Sequence, residues 1–304
     1  MQNITEETMT QDGTDRNLAY RQQLRDRKRI VIKVGSSSLL HSSTRRLDYH
    51  KIDVLVRELS DLKNRGKDVI LVSSGATAVG REVIRRTGAG PELAEDSPIT
   101  VKQACAAIGQ ARLMMTYQRF FTDYNQISAQ VLMDKNTISD PLSKYNLCNT
   151  FNELLKFDVI PIVNENDSIA TYEYSVGDND NLSAMVASLL DADLLILLSD
   201  VDGLYTDDPR SNPDAEFIEY VPKLDDRLMA MAKQSTGSES GTGGMRTKLQ
   251  AAMIATQSGC DMVIVNSRHM QVIHEVVQGR NYGTVFCADP NPEFDLQDHI
   301  ESME

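Results

Sequence analysis

Two lysines, an acidic cluster and two small-residue turns are the parts of this chain whose types and spacing could do chemistry. Lys33 stands in Arg29-Ile30-Val31-Ile32-Lys33-Val34-Gly35-Ser36-Ser37-Ser38, a β-branched run that empties into a glycine and three serines. A strand ending there delivers a cation and several backbone amides to one point, and such a turn can close around an anion. A buried lysine is costly without a negative partner, whereas an edge-strand lysine would carry its ammonium out to water. The stretch alone leaves both readings open. In Gly237-Ser238-Glu239-Ser240-Gly241-Thr242-Gly243-Gly244-Met245-Arg246-Thr247-Lys248, four glycines precede a helical pattern and Lys248 falls about one turn into it. The spacing is neither the Walker pattern nor the dinucleotide fingerprint, so a phosphate loop and a plain surface loop both fit.

Asp178-Asn179-Asp180-Asn181 follows Gly177, and helix capping accounts for one residue of the four. A carboxylate there could orient lysines, hold a water-clad magnesium or act as a base. Asn164-Glu165-Asn166-Asp167 reads as turn chemistry or as recognition of a polar small molecule, and Ser199, Asp200 and Asp202 as turn residues or as the lining of a nucleotide pocket. The five histidines are scattered without metal spacing, and no GxSxG elbow is present, which disfavours hydrolysis by a serine or cysteine nucleophile.

Elements that could hold these residues alternate regularly. Apolar residues at helical spacing over 47–62 stop at Gly66, and a buried strand over 69–73 ends in Ser74-Gly75-Ala76. Ser97-Pro98 opens a long helix, a strand spans 127–133, a helix 145–157, and the strand 159–163 runs into Asn164. Helix 181–190, strand 194–198, helix 245–258 and strand 262–265 complete the series. Such alternation predicts an α/β fold with a mainly parallel sheet covered on both faces, and ligands beyond the carboxyl ends of its strands. Residues 1–28 lack apolar periodicity and are expected to form a flexible N-terminal arm or a loosely docked helix; residues 288–304 read as an acidic C-terminal tail.

The 304 residues carry a formal net charge of −13, the wrong sign for a protein held on nucleic acid or anionic lipid by its overall field. Four distant cysteines show neither zinc spacing nor a disulfide framework, and no apolar run reaches membrane-span length. With no signal-peptide pattern at the start, a cytoplasmic protein is expected.

At these residues the chain resembles the amino-acid kinase superfamily, and within it the glutamate 5-kinases. The resemblance rests on Ile32-Lys33-Val34-Gly35-Ser36-Ser37, Val72-Ser73-Ser74-Gly75-Ala76, Gln103-Ala104-Cys105-Ala106-Ala107-Ile108-Gly109-Gln110, Pro161-Ile162-Val163-Asn164-Glu165-Asn166-Asp167, Asp178-Asn179-Asp180-Asn181-Leu182-Ser183-Ala184, Leu198-Ser199-Asp200-Val201-Asp202-Gly203-Leu204-Tyr205 and Gly241-Thr242-Gly243-Gly244-Met245-Arg246-Thr247-Lys248, in the family's order within residues 29–287. It implies a three-layer α/β/α sandwich around an open, mainly parallel sheet of about eight strands. It also implies ATP- and Mg²⁺-dependent phosphorylation of the L-glutamate side chain to L-glutamyl 5-phosphate, the first step of proline biosynthesis. By resemblance, Lys33 and Lys248 are phosphate-contacting lysines and Asp180 the carboxylate that holds them, with Ser74, Asp167 and Asn179 binding glutamate. Gly35, Ser36, Ser199, Asp200, Thr242, Gly243, Gly244, Met245, Arg246 and Thr247 join the two lysines as nucleotide-binding residues, the magnesium riding on ATP rather than on a protein site. The resemblance implies further a homodimer or homotetramer, feedback inhibition by proline and a downstream glutamyl-phosphate reductase. Relative to many family members, the expected departures are the absence of the C-terminal domain also found in RNA-modifying enzymes and a longer polar N-terminal arm.

The residue types suit that chemistry. A glutamate side chain, with a reference pKa of ~4.3, is already an anion and needs no base; the obstacle is its repulsion by a triphosphate, which lysines and amide dipoles offset. The same residues leave room for a sibling kinase acting on another carboxylate, or for a non-catalytic amino-acid sensor.

Overall fold

The protein is described by a computed structural model covering residues 6–88, 97–169, 179–209, 211–225, 227–229 and 244–302. In chain order the elements are α1 (Glu6–Gln23), β1 (Arg29–Val34), α2 (Ser36–Leu39), α3 (Tyr49–Asn64), β2 (Asp68–Ser73), α4 (Ala76–Thr87), α5 (Ile99–Asp123) and β3 (Ser128–Met133). Then come α6 (Lys135–Ser139), α7 (Pro141–Lys156), β4 (Ile160–Glu165), α8 (Asn179–Leu189), β5 (Leu194–Ser199), β6 (Leu204–Tyr205), β7 (Phe217–Ile218) and β8 (Tyr220–Val221). The last are α9 (Met245–Gln257), β9 (Asp261–Asn266), α10 (Val272–Val277), β10 (Thr284–Phe286) and α11 (Leu296–Ser302).

Eight strands form one sheet in the order β3-β4-β2-β1-β5-β9-β10-β8, parallel except where β10 meets β9. The expected three layers follow from strand alternation. Val31, Ile70, Val72, Leu195 and Leu197 face one core together with Phe151 of α7, Leu182 of α8 and Leu249 of α9. Ile30, Ile32, Val34, Leu71 and Ile196 face the other, under Leu55 of α3 and Leu113 of α5. Period-two alternation therefore turns Lys33, two residues from Val31, toward the layer that holds α8 and α9.

Among the helices longer than two turns, α4 has no counterpart in the sequence pattern, because Ala76, Gly80 and three arginines dilute its apolar stripe. It packs against α5 backbone to backbone: a Cβ at Gly80 would lie 1.8 Å from the Cys105 carbonyl oxygen, and one at Gly109 1.8 Å from that of Ala76. Only glycine permits this approach, and it sets Ala106, Ala107 and Gln110 of α5 beside the start of α4. Of the two adjacent methionines on α5, Met114 is buried and Met115 is exposed.

The N-terminal stretch is not uniformly a loose arm. Arg21 is fully buried, donating from Nε to Asn17 Oδ1 (2.7 Å) and from its two terminal nitrogens to the carbonyls of Tyr282 (2.8 Å), Glu219 (2.8 Å) and Gly283 (2.7 Å). Burial pushes its guanidinium down to about 10, so it is still a cation near neutral pH. Tyr20 donates to Asp261 Oδ1 (2.6 Å), and Arg27 pairs with the other oxygen of that carboxylate at 2.7 Å. Leu24 reaches the core, but the rest of the docking is done by polar side chains, which leave no apolar periodicity to read. The acidic C-terminal stretch likewise places Leu296 and Ile300, four residues apart on α11, in the core.

Candidate active site

The carboxyl ends of β1, β2, β4 and β5 converge on a cluster of charge. Asp180, in the first turn of α8, is 1% exposed and receives Lys33 Nζ on Oδ1 at 2.5 Å and Lys248 Nζ on Oδ2 at 3.1 Å. The three side chains come from β1, α8 and α9, so the triad exists only once the layer over β1 is in place. Burial by itself would raise the Asp180 carboxyl, but the two lysines outweigh it and hold the group below the ordinary carboxylate range. Two ammonium groups against one carboxylate leave one net positive charge, buried and aligned. Thr247 hydroxyl donates to the Gly244 carbonyl at 2.9 Å and stands 3.5 Å from Asp180 Oδ2, tying the first turn of α9 to the cluster.

Small residues bring backbone close to these cations. A Cβ on Gly35 would lie 3.7 Å from Lys33 Nζ, so the turn after β1 runs beside the ammonium, and Ser36 opens the single-turn helix α2. The turn after β2 meets it: Ser74 N–H donates to the Val34 carbonyl at 3.0 Å, and Gly75 holds φ at +106°, where a side chain would be strained.

From Asp180 a row of amides leads outward. Asn179 donates from Nδ2 to Ser74 Oγ (2.6 Å) and to Asn164 Oδ1 (3.0 Å), and Asn164 in turn donates from Nδ2 to Gln110 Oε1 (3.0 Å). Gln110 belongs to the wall of a cavity of about 290 Å³, which is lined also by Ala76, Ala107, Gln130, Glu165 and Asp167. The volume suits a small ligand. Its charged wall residues are both acids, and burial pushes the Asp167 carboxyl up to about 6. A cavity of this kind calls for a cationic group in its occupant.

The candidate nucleotide residues divide. Ser199 is buried at the end of β5, its hydroxyl 3.2 Å from Asp200 Oδ1, and Asn266 Nδ2 grips both the Asp200 carbonyl (3.2 Å) and Asp202 Oδ1 (2.7 Å). Gly244, Met245, Arg246 and Thr247 form the entry to α9, with Arg246 exposed. Thr242 and Gly243 lie outside the described residues, as do Asp178 and the 170–178 stretch. Gln110 and Asn164 had been visible only as members of motifs, since an amide inside a helix or strand carries no signal of its own until its partners are known. Among the described residues no cluster of three metal-ligating side chains occurs and no helix is long and apolar enough to cross a membrane.

Comparison with known proteins adds independent support. The model of the amino acid kinase family matches residues 28–266. A glutamate 5-kinase of Clostridium tetani is 46% identical over 268 residues, covering 88% of this chain and 97% of that protein. The glutamate 5-kinase of Clostridium perfringens is 43% identical over 274 residues, with 88% and 98% covered. Among solved structures, UMP kinase from Ureaplasma parvum superposes with a TM-score of 0.58 at 16% identity, covering 86% of this chain and 99% of that one, a likeness of fold alone. With its eight-stranded sheet, its lysine–aspartate–lysine cluster and these relatives, the chain belongs to the amino acid kinase family, among the glutamate 5-kinases.

Proposed function

We propose that this protein transfers the γ-phosphoryl group of ATP to the side-chain carboxylate of L-glutamate, giving L-glutamyl 5-phosphate and ADP. The observation that carries this reading is the buried triad with its net positive charge. A glutamate side chain, with a reference pKa of ~4.3, attacks as the anion it already is, so no residue has to remove a proton. One carboxylate oxygen forms the new O–P bond as the bond from the γ-phosphorus to the bridging oxygen breaks, and ADP leaves with that electron pair. The demand on the protein is to bring two anions together and to neutralise charge spread over the transferring group. Lys33 and Lys248 supply the cations. Asp180 takes no proton in this scheme; it fixes both ammonium groups and lowers the cost of burying two like charges.

Magnesium fits as a passenger of the nucleotide: both oxygens of Asp180 are taken by lysines, so the donor set offers cations to phosphates rather than a carboxylate cage to a metal. When bound with ATP, the ion would supply positive charge to offset that of the phosphates. Ser199, Asp200 and the segment 242–248 are the proposed nucleotide contacts, and Ser74, Asp167 and Asn179 the proposed glutamate contacts. We also carry as proposals a cytoplasmic homodimer or homotetramer, inhibition by proline and a reductase that consumes the acyl phosphate; exposed Met115, Leu142 and Tyr145 offer apolar area to a second copy.

The two acids of the cavity favour a free α-ammonium over an acylated nitrogen. ADP release coupled to a hydroxylamine trap should therefore show turnover with glutamate and a kcat/KM at least roughly 10³-fold lower with N-acetylglutamate, as expected when a buried charged group loses its partner. Comparable rates with both would move the protein to a sibling activity, and no ADP release with either would make it a sensor.

Asp167 makes the same point through pH. The substrate ammonium binds its ionised form, and with burial holding the carboxyl at about 6 the competent fraction falls as pH falls. The KM for glutamate should rise about tenfold from pH 8 to pH 5, with kcat little changed, and Asp167→Asn should flatten that profile at a high KM. A wild-type KM that stays constant over this range would remove Asp167 from the ammonium site.

A further inference from the structure

We infer that Gln110 is a positioning residue for this reaction, acting through Asn164 to fix the amide of Asn179; the inference rests on the glutamate kinase reading above. The amide of Asn179 spends its N–H groups on Ser74 and Asn164, so among the described residues its carbonyl oxygen is the atom these bonds leave unused. That polarity depends on Asn164 presenting Oδ1, and Asn164 does so because its own Nδ2 is drawn the other way, to Gln110 Oε1 at 3.0 Å. An asparagine amide is nearly symmetric in shape and is oriented by its partners. Both inner links lie in the interior, with Asn164 2% and Gln110 9% exposed, so water is a poor substitute for either.

What holds Gln110 in its own orientation is the cavity. Its amide belongs to a wall that also carries Glu165 and Asp167, and a carbonyl oxygen turned toward two acids is disfavoured, so Oε1 goes inward to Asn164. Without that acceptor the Asn164 amide is fixed from one side only, so the two amides can turn over together, Asn164 Nδ2 then donating to Asn179 Oδ1. Asn179 thereby loses its single orientation beside Asp180. Gln110 reaches this role because α5 approaches α4 at Gly80 and Gly109, as described above.

The test is steady-state kinetics at pH 8 on the full chain, with melting curves for every variant. Gln110→Met, which keeps the length and removes the acceptor, should raise the KM for glutamate about tenfold and leave the KM for ATP within about twofold. Adding Gln110→Met to Asn164→Ala should bring no further rise, the signature of residues acting in series. Gln110→His, whose neutral ring accepts on one nitrogen and donates from the other, keeps an acceptor for Asn164 without a third acid and should keep the KM for glutamate within about threefold of wild type. Should Gln110→Met fail to fold, the Gln110→His result decides alone: a tenfold rise there overturns the inference. An unchanged KM in Gln110→Met also overturns it, and additive effects with Asn164→Ala would place Gln110 on the substrate itself. A wild-type protein without glutamate-dependent ADP release would sink the kinase reading, whereas an active wild type with an indifferent Gln110→Met sinks only this one.

Discussion

Lys33→Met is expected to lower kcat by roughly three orders of magnitude, because removing one preorganised charge from a water-poor site commonly costs 10²–10⁵ in rate. Methionine fills nearly the volume of the lysine stem, so the change is one of charge more than of packing. It takes the cluster from a net charge of +1 to zero, with Asp180 left to pair with Lys248 alone. The KM values should move far less than kcat, since the ammonium does most for the charge distribution of the transition state. Single-turnover ADP formation on a variant with a wild-type melting curve checks this, and a kcat within threefold of wild type would show that Lys33 is only a buried strut. Lys33→Arg is expected to fare little better, for a planar guanidinium cannot occupy the place of an ammonium 2.5 Å from Asp180 Oδ1.

Asp180→Asn should do its damage in stability as well as in rate. It leaves two buried ammonium groups, 7% and 6% exposed as whole residues, facing a neutral amide. Removing one partner from a buried ion pair typically costs about 3–5 kcal/mol, which for a chain of this size corresponds to a melting temperature lower by about 10 °C. Adding Lys248→Met to Asp180→Asn removes one of the stranded charges and should recover part of that loss. The pH dependence has a definite sign. Because the folded Asp180 carboxyl sits below its ordinary value, its contribution is complete above the unfolded value of ~3.9 and is lost as pH falls through the lower folded value. Wild type should therefore lose stability in acid below about pH 4 more steeply than Asp180→Asn. Thermal melts with equal midpoints for the two proteins at pH 7 would mean the triad contributes nothing to the fold.

Much of this was legible in residue types. A lysine inside a β-branched run needs a partner, an aspartate opening a helix can supply one, and a glycine stretch before Lys248 points at an anion; motif order then joined the three. What stayed hidden depended on partners distant in sequence. Helix α4 escaped because glycine and arginine stand where a leucine stripe would announce it, and glycine is there for the close approach of α5. Gln110 looked like one more helix residue until Asn164, 54 positions away, met it. Arg21 looked like part of a polar arm because its binding free energy comes from carbonyl oxygens, which no side-chain pattern records.

That arginine has a consequence for how the chain is made. Its carbonyl acceptor on Gly283 lies 262 residues downstream. A ribosome adding ~5–20 residues per second needs roughly 13–50 s to deliver it. Throughout synthesis, then, the opening helix waits without its dock, while strands at the centre of the sheet can already pair. Helix α1, translated before the strands that hold it, is among the last elements to be seated, and it closes over β8 and β10 like a latch fastened after the contents are in.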